Sequence, residues 1–258
     1  IMKTLSEGCR ALLHNTAAYY DLASNAETDA ERERYIDLVE LLTPICKAYA
    51  TDQGFWVTER GVQIYGGYGY IREYPMEQYM RDVKIASIYE GTNGIQALDL
   101  LGRKMRLKNG GLFLRWLQEA NALVEKHKEH SALGDLVVAF EKAKNALAEL
   151  TFALPGLGSK DPEQLMLQAT PFLEAFGHVE VGRLLIEQAV LAHEKLQTLA
   201  GGAEGDALAQ QAAENSEIRF YDGKVKGARF FAAEFLPRTH DIARRIKAAD
   251  RSPLDIVF

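Results

Sequence analysis

A glutamate followed by a glycine sits in the run Ile88-Tyr89-Glu90-Gly91-Thr92-Asn93. A carboxylate placed beside a residue that lets backbone and substrate approach closely can act as a general base. The pair alone describes no more than a solvated carboxylate at a helix end. Upstream, Gln63-Ile64-Tyr65-Gly66-Gly67-Tyr68-Gly69-Tyr70 places three glycines within four residues. Such a stretch serves a tight turn or a phosphate cradle equally well, and its spacing does not choose between them. Thr92 lies where a helical pattern begins, so the free amides and positive dipole end there suit a phosphate or an electron-rich ring. His127 and His130 are three apart on a helical stretch without a sequence-placed partner, and Cys9 and Cys46 have no paired Cys-x-x-Cys spacing. Neither a metal site nor a disulfide framework is expected.

The elements that must hold these residues read as helices. Met2, Leu5, Cys9, Leu12, Leu13, Ala17 and Tyr20 recur at three- and four-residue steps. Thr28, with Glu31 three residues on, reads as a capping box opening a long second helix. Its middle, Leu38 to Tyr49, is apolar on nearly every side, more than one small bundle would cover, which predicts an interface with another copy, and Pro44 predicts a kink. Helix is expected again from Glu77 to Ile88, then from Asn93 as N-cap to about Lys104. Asn109-Gly110-Gly111 marks the clearest break. Beyond it, stripes from Leu112 to Val124 and from Leu136 to Leu150 predict a helical hairpin. A loop follows at residues 154–158, then a helix capped by Asp161 with Pro162 at its first position and a kink near Pro171. A last long helix carries Phe220, Tyr221, Phe230, Phe231 and Phe235. The expected fold is all-α, two helical bundles, with domains 1–108 and 109–258.

The glycine stretch, Glu73-Tyr74-Pro75, Arg81-Asp82 and Tyr89-Glu90-Gly91-Thr92-Asn93-Gly94-Ile95-Gln96 together resemble, in order and spacing, the carboxy-terminal signature of acyl-CoA dehydrogenases. The resemblance covers residues 1 to about 105. The remainder, with Phe220-Tyr221-Asp222-Gly223-Lys224 and Ala228-Arg229-Phe230-Phe231-Ala232, is similar to the extra module of the longer bacterial type, which includes enzymes acting on 3-methylmercaptopropionyl-CoA.

The resemblance implies α,β-dehydrogenation of an acyl-CoA thioester: Glu90 removes the α-proton while the β-hydrogen leaves as hydride to N5 of FAD. Removing so weak an acid requires hydrogen bonds to the thioester carbonyl, supplied in the family by the glutamate's own amide and a flavin ribityl hydroxyl. A water-poor pocket, shaped by Tyr89 and Gly91, would raise the base toward working pH. Gln63, Gly66 and Gly67 match the stretch meeting the FAD of a neighbouring subunit, and Thr92 matches a flavin contact. A homodimer or homotetramer is therefore expected, with electron-transfer flavoprotein as acceptor and a place in fatty acid metabolism. Gln78 and Gly94 depart from the family, which often has a basic residue and a side-chain amide there. The family's amino-terminal and middle domains have no counterpart in the sequence, so it reads as a piece of a longer polypeptide, inactive alone. The other reading is a helical interaction module that keeps the signature as scaffold.

Composition agrees with a helical globular chain. Of 258 residues 47% are hydrophobic and 26% charged, with seven prolines. A net charge of -6 gives little drive toward nucleic acid. No apolar run is long enough to span a bilayer and no signal peptide is recognisable, so a cytoplasmic location is expected.

Overall fold

Helices make up the regular structure of the computed structural model, which describes residues 1–257, and no strand occurs among them. The chain opens with an antiparallel hairpin, α1 (Met2–Ser24) against the 37-residue α2 (Asp29–Tyr65). The Thr28 hydroxyl accepts from the Glu31 amide, while the Glu31 carboxylate accepts from the Glu27 amide, so the start of α2 is satisfied from both sides. Cys46 reaches Leu12 and Thr16, and Tyr19 stacks on Tyr35 at 5.9 Å, which fixes the antiparallel register.

From the end of α2 the chain makes one helical turn, α3 (Gly67–Tyr70), and runs back along α2 as α4 (Met76–Ile85). Close packing sets this return. A Cβ on Gly61 would collide with the Met76 methyl, one on Gly54 would lie 3.1 Å from Val83, and Lys84 sits 4.9 Å over the Phe55 ring. After α5 (Asn93–Leu98) the helix widens to a π stretch, Asp99–Arg103, and tightens to a 3-10 stretch, Lys104–Gly110. Lys108, Asn109 and Gly110 there have φ of 51°, 56° and 84°, a run of left-handed backbone that ends the first half.

In the second half α6 (Gly111–His127) and α7 (Gly134–Lys160) form the expected hairpin, and α8 (Pro162–Leu167) starts at Asp161, whose carboxylate accepts from the Gln164 amide. The central pillar is α9 (Ala169–Ala200), buried from Phe172 through Ile186 on almost every side and flanked by α1, α2, α5, α7 and later helices. A helix apolar all round must be enclosed. Two polar links tie it in: the Tyr49 hydroxyl lies 2.9 Å from His178 Nδ1, and Trp116 Nε1 donates to Glu180 at 2.7 Å. Glu180, fully buried, also accepts two bonds from Arg183. The chain closes with α10 (Gly205–Glu214), α11 (Ser216–Glu234), α12 (Arg238–Ala248) and α13 (Ser252–Asp255).

Several sequence expectations are corrected. Residues 154–158 are helix: Pro155 removes one backbone donor, but Leu150 and Leu154 stay buried and α7 continues through it. The helix that opens at Asp161 is interrupted at Gln168, three residues before Pro171, and Pro171 itself lies in the first turn of α9, where its missing amide costs no bond. The last long helix is three, divided by Asn215, which caps α11 through the amides of Glu217 and Ile218, and by Pro237. Leu38, Leu41, Leu42, Ile45, Ala48 and Tyr49 are buried within their own chain, because α1, α6 and α9 pack on α2. Gly177 lets α9 in, since a Cβ there would strike the Tyr49 ring.

Candidate active site

Glu90 has φ 54° and Gly91 φ 81°, two successive left-handed residues between α4 and α5. For a glutamate this costs about 1–2 kcal/mol, so the surroundings must impose it. The loop is closed by the Asn93 amide donating to Ser87 O at 3.1 Å, and Gln96 Nε2 donates to Glu90 O at 3.3 Å. Gly91 is required twice over: its φ is positive, and a Cβ would sit 2.9 Å from Gln96 Nε2. Thr92, not Asn93, is the N-cap of α5, its hydroxyl accepting from the Ile95 amide at 3.3 Å.

Asn93 instead anchors the loop. Its Nδ2 donates to Asp52 Oδ1 at 2.7 Å, Thr51 Oγ1 at 2.9 Å and Ala48 O at 3.3 Å, and its Oδ1 accepts from Lys47 at 2.8 Å. Four positions near the middle of α2, two successive pairs one turn apart, thus grip one side chain. Sequence reasoning missed this, because a bond between residues some 40 apart leaves no periodic signal.

Glu90 and its neighbours Tyr89, Gly91 and Thr92 are exposed, and among the described residues the amides of Glu90, Gly91 and Thr92 donate to no carbonyl. The loop therefore offers a carboxylate and unclaimed donors on one surface, rimmed by Ile88, Tyr89 and Ile95, each about half exposed. The water-poor pocket expected around the glutamate is not formed by residues 1–257. Next to the loop, between α2 and α4, lies an open cavity of 640 Å³ bordered by Phe55, Tyr70, Arg72, Lys84 and Ile88.

Gln63, Gly66 and Gly67 lie elsewhere. They cap the far end of α2, about 17 Å beyond Asp52 at 1.5 Å per residue. Gly66 ends the helix with φ 59°, its amide donating to Gln63 O, and Gly66 and Gly67 both have open space where a Cβ would stand. Around them Ile64, Tyr65, Tyr68 and Tyr70 are exposed, Tyr70 by 82%. The Glu90 loop and this glycine end are thus two separate stations on α2.

The basic run Arg103, Lys104, Arg106 and Lys108, just ahead of Gly110, is mostly structural. Arg103 pairs with Asp99 and Glu40, Lys104 is buried against Glu40, and Lys108 joins Glu33 and Asp37. Arg81 lies beside Glu77 and Asp82 on the surface. Burial pushes the Cys9 thiol up to about 12 and the Cys46 thiol to about 11, so neither is a nucleophile near neutral pH. No cluster of metal-ligating side chains occurs among the described residues, and no described helix is long and apolar enough to cross a membrane.

Comparison with known proteins gives two adjoining family matches. Residues 2–105 match "Acyl-CoA dehydrogenase, C-terminal domain", and residues 116–256 match "Acetyl-CoA dehydrogenase C-terminal like". A butyryl-CoA dehydrogenase of Syntrophomonas wolfei is 35% identical over 98% of this chain and 40% of its own length. A 3-methylmercaptopropionyl-CoA dehydrogenase of Ruegeria pomeroyi is 32% identical over 91% of the chain and 37% of its length. The chain therefore spans about two fifths of these relatives. Among solved structures, an acyl-CoA dehydrogenase complexed with FAD from Bacillus anthracis has the same fold, with a TM-score of 0.69 at 16% identity over 97% of this chain and 41% of that one. Caenorhabditis elegans ACDH-11 in complex with C11-CoA gives 0.63 at 19% identity, covering 98% and 38%.

Proposed function

The chain belongs to the acyl-CoA dehydrogenase family, and from that premise we propose that the whole protein oxidises an acyl-CoA at its α and β carbons with Glu90 as the α-proton base. The observation that carries the reading is the Glu90 loop itself. A non-glycine residue is held in left-handed backbone, with a free carboxylate and unclaimed amides beside it, by an asparagine committed to four positions on α2. A fold tolerates such a residue where its direction matters.

In this reading the thioester carbonyl lies against the loop amides, so that the Glu90 N–H donates to its oxygen as enolate charge develops. The carboxylate then accepts the α-proton from a fixed position, and Gly91 keeps the approach clear. Tyr89, Ile88 and Ile95 form the apolar rim that a further part of the protein closes against water. Bound FAD supplies the two-electron acceptor for the β-hydrogen. The residues suit it on two counts: Thr92 and the loop amides offer donors, and Gly66 and Gly67 leave room at the end of α2. Gln63, Gly66 and Gly67, at a distance from Glu90, serve the cofactor of a neighbouring copy. The two domains are taken as 1–108 and 109–258, divided at the left-handed run that begins with Lys108. The physiological acceptor in this scheme is an electron-transfer flavoprotein, and the location is cytoplasmic.

The test is Glu90→Gln in the whole protein. The amide keeps the shape but cannot take the proton, so turnover should fall by about 10² to 10⁴-fold while FAD content stays unchanged. Flavin bleaching by acyl-CoA at the unmutated rate in a stopped-flow instrument would remove Glu90 from the role.

A further inference from the structure

Where the first half of the chain meets the second, the 3-10 stretch Lys104–Gly110 lies over α7, and two adjoining cavities of 410 and 370 Å³ open between them. They share Met105, Arg106, Thr151 and Pro155, and so form one groove. Its size falls in the range of small-molecule sites, which favour such junctions.

Three polar features there have no internal purpose. First, Arg106 is the one member of its basic run without a carboxylate: Arg103, Lys104 and Lys108 are all paired, whereas Arg106 has no ion pair or hydrogen bond among the described residues. Second, Thr151 is 9% exposed and its hydroxyl has no partner. Thr16, Thr43, Thr51, Thr58 and Thr198 each donate to the carbonyl four residues earlier, whereas Thr151, like Thr239 outside this groove in α12, does not. A buried hydroxyl left unpaired costs about 1–3 kcal/mol, which a ligand would offset. Third, Pro155 stands four residues after Thr151 and has no N–H to give its carbonyl. The apolar walls include Leu101, Leu154, Leu165, Phe113 and Phe152, with Asn109 and Ser159 also on the lining.

We propose that this groove binds a small amphipathic monoanion, a carboxylate on a short aliphatic chain. One unpaired guanidinium calls for one negative charge, the Thr151 hydroxyl completes the recognition of the head group, and the leucine walls take the chain. The site lies apart from the Glu90 loop and does not depend on its role.

Titration calorimetry of the full 258-residue chain tests this, with octanoate as probe and octanamide as its neutral counterpart. Octanoate should bind at least about tenfold more tightly than octanamide, the effect of one charge-assisted hydrogen-bonded pair. Arg106→Gln should abolish the difference, Arg106→Lys should keep part of it, and the isosteric Thr151→Val should weaken octanoate severalfold. Arg81→Gln, on another face, should change nothing. Equal affinity for the two probes, no heat at millimolar octanoate, unchanged binding by Arg106→Gln or an equal loss in Arg81→Gln would each overturn the proposal. Should Arg106→Gln fail to fold, as read by circular dichroism, the Thr151→Val result decides.

Discussion

At the scale of single residues, a base is only as good as the backbone that aims it, and Glu90 sits in a conformation its own side chain disfavours. Asn93 supplies the restraint, because its amide spends both ends on Lys47, Ala48, Thr51 and Asp52. Asn93→Ala should therefore lower stability by about 1–2 kcal/mol, the value of two or more half-buried hydrogen bonds. In the whole protein kcat should fall by about tenfold or more with KM little changed, since a wandering base is a transition-state defect rather than a binding one. Chemical denaturation and steady-state kinetics check the two halves of this. An unchanged kcat with the stability loss present would make Asn93 a structural residue only. The Glu90, Gly91 and Thr92 run was legible because its members are neighbours in sequence. Asn93 was misread as a helix cap, because local rules cannot see a partner on another helix.

Among the elements, α9 shows what periodicity can and cannot convey. That it is a helix was readable; that it would be enclosed by both halves of the chain was not. Nor was the unbroken passage of α7 through Pro155, since the sequence displays the lost amide but not the burial of Leu150 and Leu154 that outweighs it. The capping box at Thr28 and the start at Asp161-Pro162 were legible, because caps are local chemistry. At the waist of α9, Glu180 is reached by Trp116 and by both edges of Arg183, with Arg183 also paired to Glu187. Removing the cation strands a carboxylate that is fully buried. Arg183→Met should thus cost about 3–5 kcal/mol, whereas Arg183→Met with Glu180→Gln should cost less than the single change, because glutamine still accepts from Trp116 without a charge to bury. Urea titration of the two variants measures the sign of the difference. A double variant weaker than the single one would show that the pair stabilises the fold beyond neutralising itself.

For the molecule as a whole, the all-α architecture was legible from composition and stripes, but the surface available for assembly was not. Leu38 to Tyr49 seemed to need a second copy on sequence grounds, and α1, α6 and α9 of the same chain cover its apolar positions instead. One apolar surface the fold leaves uncovered is the other end of α2, where Ile64 is 73% and Tyr68 63% exposed beside Gly66 and Gly67. An apolar patch of this kind next to open glycines suits an interaction surface. Under the proposed function, a second copy seats there and presents its FAD to Gln63, Gly66 and Gly67, so assembly and cofactor retention are one event. Charging the patch by Ile64→Asp with Tyr68→Glu in the whole protein should then lower the mass seen by light scattering at micromolar concentration and, in the same samples, lower the FAD that survives gel filtration. The substitutions are solvent-facing and should leave the melting of the helical core nearly unchanged. A protein that dissociates yet keeps stoichiometric flavin would separate the two, and Gln63 and its glycines would then be an ordinary helix end.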